Sequence, residues 1–210
     1  MAIKPILFNT EMVRAILDGR KVCTRRIVKG YIPKDAQFGY TAFTPDGAIS
    51  CRGLFETTGR PGYGEKFFKL PYQPGDILYV RETWKKAPNG YYYYEDWQRN
   101  DIADVTKWKP SIRMPKEAAR IWLKVTDVRV ERLQKCGEGW CLDIEKEGIV
   151  TPQSPMLYVS DNEYHDALRA EFQKLWDSTI KKPDLDRYGW DANPWVWVIE
   201  FERCEKPENL

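Results

Sequence analysis

The chain has 210 residues, of which 42% are hydrophobic and 30% charged, and its net charge is +2. This composition excludes a disordered chain and leaves enough length to bury a sizeable core, as one domain or one domain with long insertions. The near-neutral balance excludes recruitment of nucleic acid by bulk charge, so any such footprint must come from local clusters of cations.

"PILFN" reads as an edge strand. "NTEMVRAILDG" reads as a helix, capped by Asn9 or Thr10, with Met12, Val13, Ile16 and Leu17 as its apolar stripe and Gly19 as its left-handed end. "KVCTRRIV" begins an extended or irregular segment. Between residues 30 and 73 a hairpin is expected around Pro45-Asp46-Gly47, with loop from there to "LPYQPGD". "DILYVRETW" then reads as a buried strand, and Asn89-Gly90 in "KKAPNGYYYY" as a hairpin turn. "KWKPSIRMP" reads as a connection. "RIWLKVTDVRVERL" is a long strand in which Val128 and Val130 fall out of register with Ile121, Leu123 and Val125, predicting a bulge near Asp127. "EGWCLDIEKEG" is a short helix ended by Gly148. In "SDNEYHDALRAEFQKLWDS", Ser160 and Glu163 fit a capping box ahead of an apolar stripe of Leu168, Phe172, Leu175 and Trp176. "NPWVWVIEFERC" is apolar on both faces at its start, which predicts a central strand. Together these elements predict an α+β fold around a small mixed barrel.

Five cysteines without a CxxC pair argue against a disulfide framework or a zinc site, and the single histidine, His165, removes most histidine-based metal and triad chemistry. No metal and no cofactor is expected. The chain opens without a signal-peptide pattern and has no apolar run of membrane length, so a cytoplasmic protein with reduced thiols and no membrane contact is expected. Aromatic residues make up 14%, including nine Trp and twelve Tyr. They suit sheet packing and are compatible with base stacking.

Three groups of residues are candidates for chemistry. Leu78, Val80, Glu82 and Trp84 share one face of their strand, so Glu82 points either among apolar residues, where burial raises a carboxyl pKa, or to water. Alternation does not choose between the two. Lys21 and Thr24 are spaced to meet only if the chain bends there, because a regular strand puts them on opposite faces. A hydroxyl needs a base to become a nucleophile, and a lysine neutral through burial can serve. The alternative is a solvated basic loop. Arg20, Arg25 and Arg26, joined by Arg81 or Arg113, are candidates for phosphate contacts. Trp84 and Trp195 are the candidates for an aromatic pocket wall.

"GRKVCTRR" resembles the GxKxxTxR signature near the start of ASCH domains, matched by Gly19, Lys21, Thr24 and Arg26. "PGDILYVRETW" resembles the second block of that family. "KPILFNTEMVRAILDGRK", "WKPSIRMP", "LKVTDVRVERLQ" and "WDANPWVWVIEF" look like ASCH-related proteins common in phages and prophages, and this wider resemblance covers most of the chain. It implies a PUA-like mixed β-barrel with flanking helices over residues 1–210, with insertions at about 30–73, 85–118 and 134–160. It also implies recognition of RNA or of a modified nucleobase or nucleoside. One bacterial branch removes the acetyl group from acetylcytidine with a lysine, a threonine and a glutamate. Carried onto this chain, these are Lys21, Thr24 and Glu82, with Glu82 pointing inward. Other readings left open are a non-catalytic nucleic-acid-binding module, a ribonuclease, and a phage accessory protein that binds a host protein.

Overall fold

The computed structural model describes residues 1–32, 36–38, 48–57, 60–99, 107–137 and 142–208. The chain runs β1 (Ile3–Leu7), α1 (Thr10–Leu17), β2 (Cys23–Ile27), β3 (Gln37–Phe38), β4 (Ala48–Thr57), β5 (Arg60–Lys69), β6 (Ile77–Arg81), β7 (Trp84–Ala87), β8 (Gly90–Tyr93), α2 (Tyr94–Arg99), β9 (Trp122–Arg132), α3 (Leu142–Glu145), α4 (Asp161–Thr179), α5 (Leu185–Tyr188) and β10 (Trp195–Cys204). This is an α+β architecture. Its main sheet has five strands in the order β1-β6-β9-β10-β2, with β1 parallel to β6 and the other neighbours antiparallel. β3-β4-β5 and β7-β8 form two smaller sheets.

The sheet does not close into the expected barrel among the described residues: β1 and β2 are its two edges. A side chain crosses the seam between them, where Arg26 Nη2 donates to the Leu7 carbonyl at 2.9 Å. No helix among the described residues is long and apolar enough to cross a membrane.

Local chemistry accounts for three of the helix ends. Asn9 caps α1, its side-chain oxygen accepting from the Met12 N–H at 2.8 Å, and Gly19 follows the helix at φ +75. Ser160 caps α4 by accepting from Glu163 N, while the Glu163 carboxylate reaches back to the Val159 N–H rather than to the cap itself. The bulge lies where the broken alternation predicts it. Glu200 pairs with Asp127 and Phe201 with Val125, so Thr126 is the extra residue. β10 is central, lying between β9 and β2.

One expectation changes. The segment read as loop before "LPYQPGD" contains β5, which pairs with β4 in a ten-residue antiparallel ladder. The Pro45-Asp46-Gly47 turn lies outside the described residues, although β3 and β4 pair antiparallel on either side of it. The Asn89-Gly90 hairpin forms with Ala87 opposite Gly90, but the tyrosine run is divided, since Tyr94 already begins α2.

The main sheet is buried on both faces. Trp197, Ile199 and Phe201 of β10 pack with Leu78, Val80 and the α1 residues Val13 and Ile16. Val196 and Val198, alternating with them, pack with Leu168, Phe172 and Trp176 of α4. A third cluster joins Ile77 and Tyr79 of β6 to Trp84, Met114 and Trp122. α1 and α4 thus flank β2, and this places the cleft described next.

Candidate functional site

A cleft of about 410 Å³ opens along β2 at the seam of the sheet. Leu7, Phe8, Asn9 and Met12 line it from the end of β1 and the start of α1. Lys21, Thr24, Arg25, Arg26, Ile27 and Lys29 line it from β2 and its flanks. Phe172, Leu175, Trp176, Thr179 and Ile180 line it from the second half of α4, and Glu147 closes the inner end. Its volume lies in the range of small-molecule sites, and its walls mix apolar and polar groups as such sites do.

Lys21 and Thr24 both line this cleft, which runs along the open edge of β2. Lys21 pairs with Glu147 in an isolated antiparallel bridge, and Val22, exposed, intervenes before Cys23 enters the strand. Lys21 Nζ donates to the Glu147 carboxylate at 2.6 Å and to the Glu147 carbonyl at 2.9 Å. Lys21 and Glu147 are 3% and 4% exposed. Burial alone would penalise the lysine charge, but here that charge has a carboxylate partner at hydrogen-bonding distance. The Lys21 ammonium also stands 5.5 Å from the centre of the Phe8 ring. Thr24 is buried, and no hydrogen-bond partner of its hydroxyl occurs among the described residues.

The other oxygen of Glu147 belongs to Arg25, whose Nη1 donates to it at 3.1 Å. Arg25 is no surface cation: it is 3% exposed and also reaches the Asp143 carbonyl. Burial works against its charge, but Glu147 outweighs that cost and holds the guanidinium above its ordinary value. Beside it, burial together with Glu147 pushes the Cys23 thiol up to about 12, so it supplies no thiolate near neutral pH.

β2 also offers backbone groups to the cleft. The Val28 N–H bonds to the Trp195 carbonyl and the Phe201 N–H to the Val22 carbonyl, so even-numbered residues of β2 face β10. The odd-numbered ones turn their N–H and C=O to the open edge. Lys146 takes the outward N–H of Cys23 at 3.2 Å. Arg25 and Ile27 come next, and both residues line the cleft.

Glu82 is buried as the inward reading implies, at 2% exposed, but it is not among the residues lining this cleft. It lies just past the end of β6, and Arg120 grips both its oxygens at 2.9 Å while also holding Asp96 at 2.7 Å. Tyr93 stacks on the same guanidinium, 4.1 Å from its ring centre, and Arg14 binds the neighbouring Glu95. Burial pushes the Glu82 carboxyl above its ordinary value, with the Arg120 fork opposing it. The glutamate that shares a cleft with Lys21 and Thr24 is therefore Glu147.

The remaining candidates scatter. Arg26 lines the cleft, exposed and stacked 5.4 Å from the Phe8 ring centre. Arg20 lies outside it, bonded to the Gly148 carbonyl and to Asp18. Arg81 bonds the Ile112 carbonyl, and Arg113 stands in the same 3₁₀ turn, Ser111–Arg113. Trp84 packs against Tyr91 under the Lys109 ammonium, because the chain leaves the β6 register after Arg81. Trp195 carries the Arg132 guanidinium 4.4 Å from its ring centre. The aromatic wall of the cleft is instead Phe172 and Trp176 from α4, with Phe8 opposite. Among the described residues no cluster of His, Cys, Asp and Glu could hold a metal ion. Comparison with protein-family models, curated proteins and solved structures finds no match for this chain.

Proposed function

We propose that this chain is an ASCH-type, PUA-like protein whose cleft takes a modified nucleobase or nucleoside and hydrolyses an acyl group on its exocyclic amine. The observation that carries the reading is the meeting of Lys21, Thr24 and Glu147 in one cleft, the residue types that the ASCH resemblance implies, with Glu147 in the place assigned to Glu82. Two further features suit a flat heteroaromatic ligand. Phe8 and Trp176 offer apolar walls, and the open edge of β2 offers alternating donors and acceptors of the kind a base edge reads.

In the proposed reaction the Thr24 hydroxyl oxygen attacks the acyl carbon. Its proton passes to Lys21 Nζ as Lys21 yields one to the Glu147 carboxylate, so the pair as a whole gains one proton. Collapse of the tetrahedral species breaks the C–N bond. The leaving exocyclic amine takes that proton back, leaving an acyl ester on Thr24. Water then attacks the ester, releases the carboxylic acid and restores the hydroxyl. Arg25, fixed on the second Glu147 oxygen, is a positioning residue that keeps the carboxylate aimed at Lys21.

Purified protein incubated with N-acetylcytidine is expected to release acetate and cytidine, and Lys21→Ala to abolish that release. Absence of turnover by the native protein on acylated nucleosides would remove the hydrolase reading.

A further inference from the structure

The charges lining the cleft are unequal. Lys21, Arg25, Arg26 and Lys29 stand against the one carboxylate of Glu147. At the inner end the charges are close to balanced, since Glu147 takes Lys21 and Arg25 on its two oxygens and Asp143 lies 3.7 Å from Arg25. At the mouth they are not. Arg26 gives one N–H to the Leu7 carbonyl and lays its face on Phe8, neither of which carries charge. Lys29 is exposed and has no ion-pair partner among the described residues. Among the described residues neither Arg26 nor Lys29 makes an ion pair, although the Glu147 carboxylate acts on Arg26 at longer range, and both line a cleft whose inner end is already paired. Arg20 and Arg81 do not share this position, being tied to carbonyls outside it.

We infer that the ligand of this cleft carries a phosphate, with its base end inward beside Thr24 and its phosphate at Arg26 and Lys29. The substrate class is then a nucleotide, whether free or as one residue of an RNA strand, rather than a bare nucleoside. Guanidinium and ammonium donors to phosphate make charge-assisted bonds, and the planar Arg26 fork retains N–H groups beyond the one given to Leu7. This inference rests on the nucleobase reading of the cleft, but it can be tested without turnover.

The test is a calorimetric titration with cytidine, cytidine 5′-monophosphate and a short single-stranded RNA, each unacylated, at low and moderate salt. The monophosphate is expected to bind at least about tenfold tighter than cytidine, as one or two charge-assisted contacts imply. Added salt should shrink that ratio, and Lys29→Glu should bring it close to one. Lys29 is exposed, so this variant should melt with the native protein. RNA binding tighter than the monophosphate, with a steeper salt dependence, assigns the phosphate to a strand; equal binding assigns it to a free nucleotide. Equal affinity for cytidine and its monophosphate, a preference that survives Lys29→Glu, or no binding of either would overturn the inference. If acetylcytidine is turned over while the phosphate makes no difference, the phosphate inference alone fails. A phosphate preference without turnover would leave it standing and remove the hydrolase.

Discussion

Replacing Glu147 with glutamine leaves Lys21 and Arg25, each with a side chain only 1% exposed, without the carboxylate they share. Lys21 Nζ lies 2.6 Å from one oxygen and Arg25 Nη1 3.1 Å from the other. A glutamine can present its carbonyl to only one of them, so its amide donor must face a cation on the other side. Breaking a buried pair from one side costs about 3–5 kcal/mol, because the remaining charge stays desolvated. Lys21→Met should cost less, about 1–3 kcal/mol, because Glu147 then keeps its bond to Arg25. Urea unfolding followed by far-ultraviolet circular dichroism measures both. The expected order is native, then Lys21→Met, then Glu147→Gln, and the last will be marginal for a domain with only about 5–15 kcal/mol in total. If Glu147→Gln unfolds within about 0.5 kcal/mol of the native protein, the paired-cation account of the cleft is wrong.

Three other perturbations test the surrounding structure. Arg120→Ala strands the buried Glu82 and should destabilise by about 3–5 kcal/mol, whereas Glu82→Gln should cost clearly less because Arg120 retains Asp96; equal losses in urea unfolding would contradict this. Gly148→Ala forces alanine to φ +78 and sets a Cβ 2.6 Å from the Ala15 Cβ and 2.9 Å from the Lys21 Cβ, so it should cost about 2–4 kcal/mol by thermal unfolding and shift Lys21. Burial opposes the ionised form of Asp76, but bonds from Lys4, the Ala2 N–H and the Gln73 N–H outweigh it and hold its carboxyl below the ordinary carboxylate range. Its contribution is therefore present above the unfolded-state pKa and lost as pH falls through the folded one. Asp76→Asn should be destabilised at pH 7, with the gap to the native protein narrowing in acid below about pH 4; a gap that widens in acid would contradict the assignment.

Much of the frame was legible because it is written locally. Asn9, Gly19 and Ser160 mark helix ends by their own chemistry, and the broken alternation around Asp127 announces the Thr126 bulge. The site was half legible. Lys21 and Thr24 both line one cleft, but the carboxylate partner of Lys21 lies 126 residues further on, in a stretch read as an insertion. "EKEG" did carry a cue: a glutamate directly before a glycine that ends a short helix is held close to whatever packs there. Glu82 was readable as buried but not as paired, since strand alternation says nothing of Arg120, which approaches from another segment. Arg25 looked like a surface cation because charge composition cannot show that its face of β2 turns toward α3. The aromatic lining of this cleft was not legible for a similar reason. Trp84 continues the β6 alternation on paper, but the strand ends at Arg81, and the α4 stripe supplies Trp176 instead.

In the proposed reaction Lys21, Thr24 and Glu147 form the reacting group, while Glu82 is held in the framework by Arg120. The most direct measurement is kcat/KM for acetate release from acetylcytidine by Glu147→Gln and by Glu82→Gln, each assayed at a temperature where it is folded. The expected loss is about 10²–10⁴-fold for Glu147→Gln, the range for a positioned proton-transfer group, with Glu82→Gln within a few-fold of native. Retained activity in Glu147→Gln together with a comparable loss in Glu82→Gln would contradict it.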